Sequence, residues 1–188
     1  MIIIPIEISA RHVHISREDL EALFGAGYEL TALKKISQTG QYAARETVTL
    51  KNGANEMAGV RIVGPTRSET QVELSASDAR KLGVRPPVKR SGSVAEAAIL
   101  TIIGPHGSLT KRCAIIPQRH IHASLEDAKR HNLQDGQIVS VKCGQDRGVI
   151  FSQVIVRVAQ DFVWNFHIDV DEANAAGLLD NESGVIIS

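Results

Sequence analysis

The stretch RHIHASLEDAKRHNLQDGQIVSVKCGQDRGVIFSQVIVRV, residues 119–158, decides how this chain folds. His120 and His122 stand two apart, which puts both rings on one face of a β-strand. Ser124 and Asp127 follow with the spacing of a helix N-cap and its N3 carboxylate, so a brief helix spans 125–131. The β-branched runs GQIVSVKCGQDRG and GVIFSQVIVRV then read as strands, with GQDRG as a hairpin connection. A strand, a short capped helix and a hairpin inside one such span fit a small barrel better than a doubly wound parallel sheet.

Outward from there the pattern recurs. RHVHIS at 11–16 copies RHIHAS at 119–124, and Ser16 with Asp19 repeats the cap spacing. Other strands are expected in ETVTLKNG, EMAGVRIVGP and EAAILTIIGPHG, and brief helices over 17–25, 76–82 and 171–177, each with a polar cap, an acidic first turn and a Leu, Ala or Gly exit. A second echo, IVGPTRSET at 62–70 and IIGPHGSLT at 102–110, is expected to join the two halves. The expected fold class is therefore mainly β: two small β-barrels capped by short α-helices, with an internal repeat.

The 188 residues are enough for one ordinary domain or two small ones. Twenty-one basic residues balance twenty-one acidic ones without a long like-charge run, which excludes the electrostatic footprint of a nucleic-acid or anionic-membrane binder. Cys113 and Cys143 lack metal-ribbon spacing and read as reduced packing residues of an intracellular protein. MIIIPIEI at the start is far shorter than a membrane span and reads as the first strand.

Each histidine pair ends a strand just before a helix, where side chains reach a cleft. Two imidazoles on one face can chelate a metal ion at ~2.0–2.1 Å. FHIDVDEAN places His167 at a third strand-to-helix junction, with Asp169 on its face. Five of the seven histidines thus occupy equivalent turns, while His106 and His131 read as surface residues. Histidine and carboxylate ligands without cysteine suit an open zinc site of catalytic type. TRSETQVELS is expected to alternate as a strand, which puts Glu73 on the face of Gln71 and Glu69 and makes Glu73 the candidate carboxylate ligand. A single such glutamate is ordinarily solvated.

SARHVHIS, LTALKKISQTGQYAARETV, VRIVGPTRSETQVELSASDA, RHIHAS and HIDVDEANAAGL together resemble the PduL-type phosphate propanoyltransferase family, the phosphotransacylases of bacterial microcompartments and related pathways. The resemblance covers essentially the whole chain. It implies reversible conversion of acyl-CoA and inorganic phosphate to acyl phosphate and CoA, with two zinc ions in a cleft between two six-stranded barrels. Residues 1–10 with 118–188 would form one barrel and 11–117 the other. One zinc would be held by His12, His14 and Glu73, and the other by His120, His122 and His167. Arg67 would grip phosphate, and Ser9, Lys34, Arg61 and Asn174 would contact CoA. The resemblance also implies a homodimer or higher homo-oligomer.

Members packaged in microcompartments carry an N-terminal extension ahead of the first strand. Here the first strand starts at Met1 or Ile2, so a cytoplasmic bacterial enzyme, or microcompartment cargo recruited another way, is expected, and acetyl-CoA is as plausible a substrate as propanoyl-CoA. Neither cysteine lies beside a histidine motif and both serines cap helices, so direct transfer without an acyl-enzyme is expected. Two other classes stay open: a zinc hydrolase of a thioester, ester or amide, and a non-catalytic, metal-stabilised scaffold module.

Overall fold

The computed structural model describes residues 1–179 and 182–187; Asp180, Asn181 and Ser188, which fall in the expected span 118–188, lie outside the described residues. In chain order the strands are β1 Ile2–Ser9, β2 His12–His14, β3 Ala32–Lys35, β4 Tyr42–Asn52, β5 Asn55–Gly64, β6 Gln71–Glu73, β7 Val88–Lys89, β8 Ala98–Ile103, β9 Ser108–Pro117, β10 His120–Ala123, β11 Ile138–Cys143, β12 Val149–Val158, β13 Asn165–Asp169 and β14 Ser183–Ile187. The helices are α1 Arg17–Phe24, α2 Ala76–Leu82, α3 Leu125–His131 and α4 Val170–Ala176. Contacts divide the chain into Met1–Ala10 with the segment from Gln118 onward, and Arg11–Pro117. Each unit holds one closed barrel of six strands.

In the first unit the ring runs β1-β13-β10-β12-β11-β14 and returns to β1. In the second it runs β9-β6-β2-β5-β4-β8 and returns to β9, with β3 added outside β4 and β7 outside β9. Strand for strand the two rings match in direction. β10 pairs β12 in parallel and β13 antiparallel, as β2 pairs β5 in parallel and β6 antiparallel. β1 pairs β13 in parallel, as β9 pairs β6. The strand that comes last in the second barrel is therefore supplied in the first by the beginning of the chain. Closure removes the exposed sheet edges that a six-strand open sheet would leave.

Local chemistry explains the elements. The burial of β4 alternates along Ala44, Glu46, Val48 and Leu50, the period-2 signature of a strand with one face on a core. Ser16, Ser75, Ser124 and Asp169 cap the four helices through side-chain oxygens that accept backbone N–H bonds. Helices α2, α3 and α4 stop where Gly83, Asn132 and Gly177 adopt left-handed backbone. Two separate apolar cores result: Ile4, Ile121, Val141, Val156 and Phe166 in the first unit, and Val13, Leu20, Leu50, Ile62 and Leu100 in the second.

The echo of IVGP and IIGP does not join the halves, because Gly64 and Gly104 both lie in the second unit. Each glycine permits a close approach. A Cβ at Gly64 would stand 2.5 Å from the Tyr42 ring, and one at Gly104 would stand 2.5 Å from the Leu23 carbonyl oxygen. The strand expected across TRSETQVELS is also shorter than its alternation suggested. Only Gln71–Glu73 is strand, because Thr70 is drawn off to the N-terminus of α1, where its hydroxyl accepts from Ser16 N at 2.9 Å and donates to Asp19.

Candidate metal centres

In the second unit, β2 and β6 run antiparallel with His12 opposite Glu73 and His14 opposite Gln71. Registered residues share a face, so the three candidate ligands converge. His12 Nε2 lies 3.1 Å from His14 Nε2 and 3.5 Å from Glu73 Oε2, and His14 Nε2 lies 3.7 Å from Glu73 Oε1. Tetrahedral coordination at ~2.0–2.1 Å separates ligand atoms by about 3.3–3.4 Å, so the donor set fits a zinc ion with little movement. Burial holds the His14 imidazole well below its ordinary pKa. The neighbouring His12 and Arg67 push in the same direction, against the pull of Glu73 and the Val63 carbonyl. His14 is thus neutral at pH 7, the state a metal ligand requires.

In the first unit, β10 and β13 repeat the arrangement with His120 opposite His167. One ligand nitrogen from each of His120, His122 and His167 falls within 4.8 Å of the others, and all three residues are buried. The rings of His120 and His167 stack with centroids 5.0 Å apart, and His122 meets both obliquely. His120 Nδ1–H donates to the Gln118 carbonyl at 2.8 Å, a bond that places the ring's lone pair on Nε2. Glu7 on β1 is registered with His167, and its Oε2 stands 3.7 Å from His167 Nε2.

The arginine that opens each RHxH copy does the same thing in both units. Arg11 Nη1 lies 3.4 Å from Asp78, and Arg119 Nε lies 2.6 Å from Glu172. Asp78 and Glu172 are the N3 residues of α2 and α4, the helices that follow the strands of Glu73 and His167. Each ion pair thus ties the start of the strand carrying the histidine pair to the helix that follows the strand of the third candidate ligand. Arg119 also lies over the Phe151 ring at 5.2 Å.

Arg67 lies outside the strand of Glu73. It forms a parallel bridge with Ser16, through Arg67 N–H to the Ile15 carbonyl at 2.8 Å. Its guanidinium is half-buried and interacts electrostatically with Glu73 and His14. Burial pulls its pKa down, against the Glu73 carboxylate, yet a guanidinium stays charged at neutral pH. Gln41 Oε1 is 3.5 Å from Nη2. Arg67 also lines a concavity of about 430 Å³ with Ser16, Ser68, Thr70, Lys111 and Arg112.

The four expected CoA contacts fall in different surroundings. Lys34 and Asn174 are exposed, on β3 and α4, and Ser9 ends β1 opposite Asp169. Arg61 sits beside His12 in the parallel register, but its Nη1 donates to the carbonyls of Ala44 at 3.1 Å and Arg45 at 2.7 Å. His131 stacks on Trp164, and His106 packs beside Gly25; neither belongs to the two clusters. Burial pushes the Cys113 thiol up to about 12 and the Cys143 thiol up to about 11, so neither is a thiolate at neutral pH. The sequence reading missed Gln71, Ser91 and Glu7. Gln71 and Ser91 both donate to Glu73 at 2.7 Å.

Among the described residues no helix is long and apolar enough to cross a membrane. The sequence profile of the phosphate propanoyltransferase family matches residues 5–179. Over 173 residues, 91% of this chain and 82% of the relative, the sequence is 52% identical to a phosphate propanoyltransferase of Thermotoga maritima. Proteins of the same description from Lachnoclostridium phytofermentans and Rhodobacter capsulatus are 47% and 46% identical. They match 92% and 94% of this chain and 82% of their own lengths.

Proposed function

We propose a specific role for this chain, which belongs to the phosphate propanoyltransferase family: it moves a short acyl group reversibly between CoA and inorganic phosphate, with one zinc ion at each histidine cluster. The observation that carries the zinc reading is the convergence of His12, His14 and Glu73, whose separations of 3.1 to 3.7 Å bracket those of a tetrahedral ligand set. Propanoyl-CoA and acetyl-CoA both fit the role, because one methylene is worth only ~1–3 kcal/mol of discrimination.

In the forward direction a phosphate oxygen bonds to the thioester carbonyl carbon, the C–S bond breaks, and its electron pair leaves on the CoA sulfur. Phosphate is strongly hydrated and anionic, so it must be held and stripped of water before it attacks. The half-buried Arg67 guanidinium offers planar, permanently charged donors for that task, in surroundings that weaken the competition of water. The zinc ions would supply Lewis acidity toward the carbonyl oxygen and the leaving sulfur. The buried, protonated thiols of Cys113 and Cys143 and the helix-capping roles of Ser16 and Ser124 support direct transfer without an acyl-enzyme. Ser9, Lys34, Arg61 and Asn174 stand as proposed CoA contacts. For Arg61 the role requires that the guanidinium keep or exchange its two carbonyl partners.

CoA release followed with a thiol reagent tests the role. Release from propanoyl-CoA and acetyl-CoA that depends strictly on phosphate is the expected result. Release at the same rate without phosphate would make the protein a thioester hydrolase, and no release by zinc-loaded protein would leave a metal-stabilised scaffold.

A further inference from the structure

The carboxylate of Glu73 is held from behind by a network that the family role does not account for. Gln71 and Glu73 are two apart on β6 and share a face, and Gln71 is 2% exposed. Gln71 Nε2 donates to Glu73 Oε1 at 2.7 Å, and Ser91 Oγ donates to the same oxygen at 2.7 Å. Gln71 Nε2 also reaches Ser91 Oγ at 2.9 Å, which closes a triangle. The amide of Gln71 is oriented by its other end, because Gly92 N–H donates to Gln71 Oε1 at 2.7 Å. The two donors to the carboxylate, Gln71 Nε2 and Ser91 Oγ, both meet Glu73 Oε1, 3.7 Å from His14 Nε2, which leaves Oε2, 3.5 Å from His12 Nε2, clear of them.

We propose that Gln71 and Ser91 are positioning residues that lock the Glu73 carboxylate in the rotation that presents Oε2 to the metal held by His12 and His14. The segment carrying Ser91 and Gly92, between β7 and β8, is thereby part of the metal site. The proposal rests on the zinc reading of that cluster. A carboxylate can turn about its terminal torsion at little cost, so a ligand with no partner behind it samples orientations that do not coordinate. Two donors on one oxygen remove that freedom, and partners of this kind behind metal ligands are worth about 10–100-fold in affinity. The three-histidine cluster has a different third ligand and should not respond to changes at Gln71 or Ser91.

The test measures zinc affinity by chelator competition in full-length protein carrying His120→Ala and His122→Ala, so that only the cluster of the second unit is read. Gln71→Leu keeps the volume and removes the donor, and Ser91→Ala removes one hydroxyl from a loop and keeps the proposal testable if Gln71→Leu does not fold. Gln71→Leu is expected to weaken zinc binding about 10–100-fold and Ser91→Ala toward the lower end of that range. With His12→Ala and His14→Ala as the background instead, neither change should alter zinc affinity. Unchanged affinity in the first background, or equal loss in both, overturns the clamp. Failure of the first background to bind any zinc overturns the metal reading beneath it.

Discussion

The two barrels place a His-x-His pair on the corresponding strand of matching rings, then complete the cluster with different chemistry. The second barrel brings a carboxylate, Glu73, which accepts hydrogen bonds from Gln71 and Ser91. The first brings a third imidazole, His167, with the Glu7 carboxylate 3.7 Å away on the neighbouring strand. The position of Glu7 in the ring is taken in the second barrel by Ile115, which is registered with Glu73 and fully buried. A carboxylate thus accompanies both clusters, once among the candidate ligands and once beside them. Barrel geometry fixes where ligands stand, while the residue at each station sets the charge.

Removing one pair should give the largest effect. His12→Ala with His14→Ala is expected to remove one zinc and keep the other, and to lower the phosphate-dependent rate by on the order of 10²-fold or more, read by metal analysis beside the CoA-release assay. Loss of both ions would mean that the clusters are not independent. Arg67→Met should lower the rate by a similar order, about 10²–10³-fold, with full zinc content retained, which separates phosphate binding from metal binding.

The arginine pins sharpen the same comparison at the level of stability. Arg119 makes the closer pair, 2.6 Å from Glu172 and stacked on Phe151, whereas Arg11 stands 3.4 Å from Asp78. Arg119→Met is therefore expected to cost about 1–3 kcal/mol in denaturant unfolding and Arg11→Met less than about 1 kcal/mol. Equal costs would deny the difference between the pins.

The N-terminal turns of α1 and α3 differ in a way that pH exposes. In α3, Ser124 and Asp127 close a reciprocal capping box. In α1, Ser16 accepts from Asp19 N–H, but the Asp19 carboxylate turns to Lys111 at 2.5 Å and to Thr70. Burial raises the Asp19 pKa, yet the bonds from Lys111, Thr70 and Ser16 outweigh it and hold the carboxyl below its ordinary value. A lowered folded-state pKa contributes stability above the unfolded value and loses it as pH falls through the folded one. Asp19→Asn should therefore flatten the loss of stability below the ordinary carboxylate range and be smallest in effect there. An unchanged acid limb of the unfolding curve would contradict that.

Much of this site was legible because its signals are local. The two-residue spacing of His12 and His14, the cap spacing of Ser124 and Asp127, and the four brief helices each depend on a few neighbouring residues. The misreadings came where a distant contact overrode the local pattern. Alternation through Glu69 and Gln71 failed because Thr70 bonds α1, 54 residues earlier at Ser16. The likeness of the two Gly-Pro stretches reflected two close approaches in one barrel, not a repeat between barrels. Ser91 could not be linked to Glu73 by spacing, since a loop brings it back from 18 residues away. The role of β1 as counterpart of β9 likewise follows from pairing across the chain and leaves no trace in periodicity.

Anomalous scattering at the zinc edge from crystals of zinc-loaded protein tests the two-cluster account most directly. The account predicts two peaks per chain, one within bonding distance of His12, His14 and Glu73 Oε2, the other of His120, His122 and His167. A single peak, or none at either cluster, would contradict it.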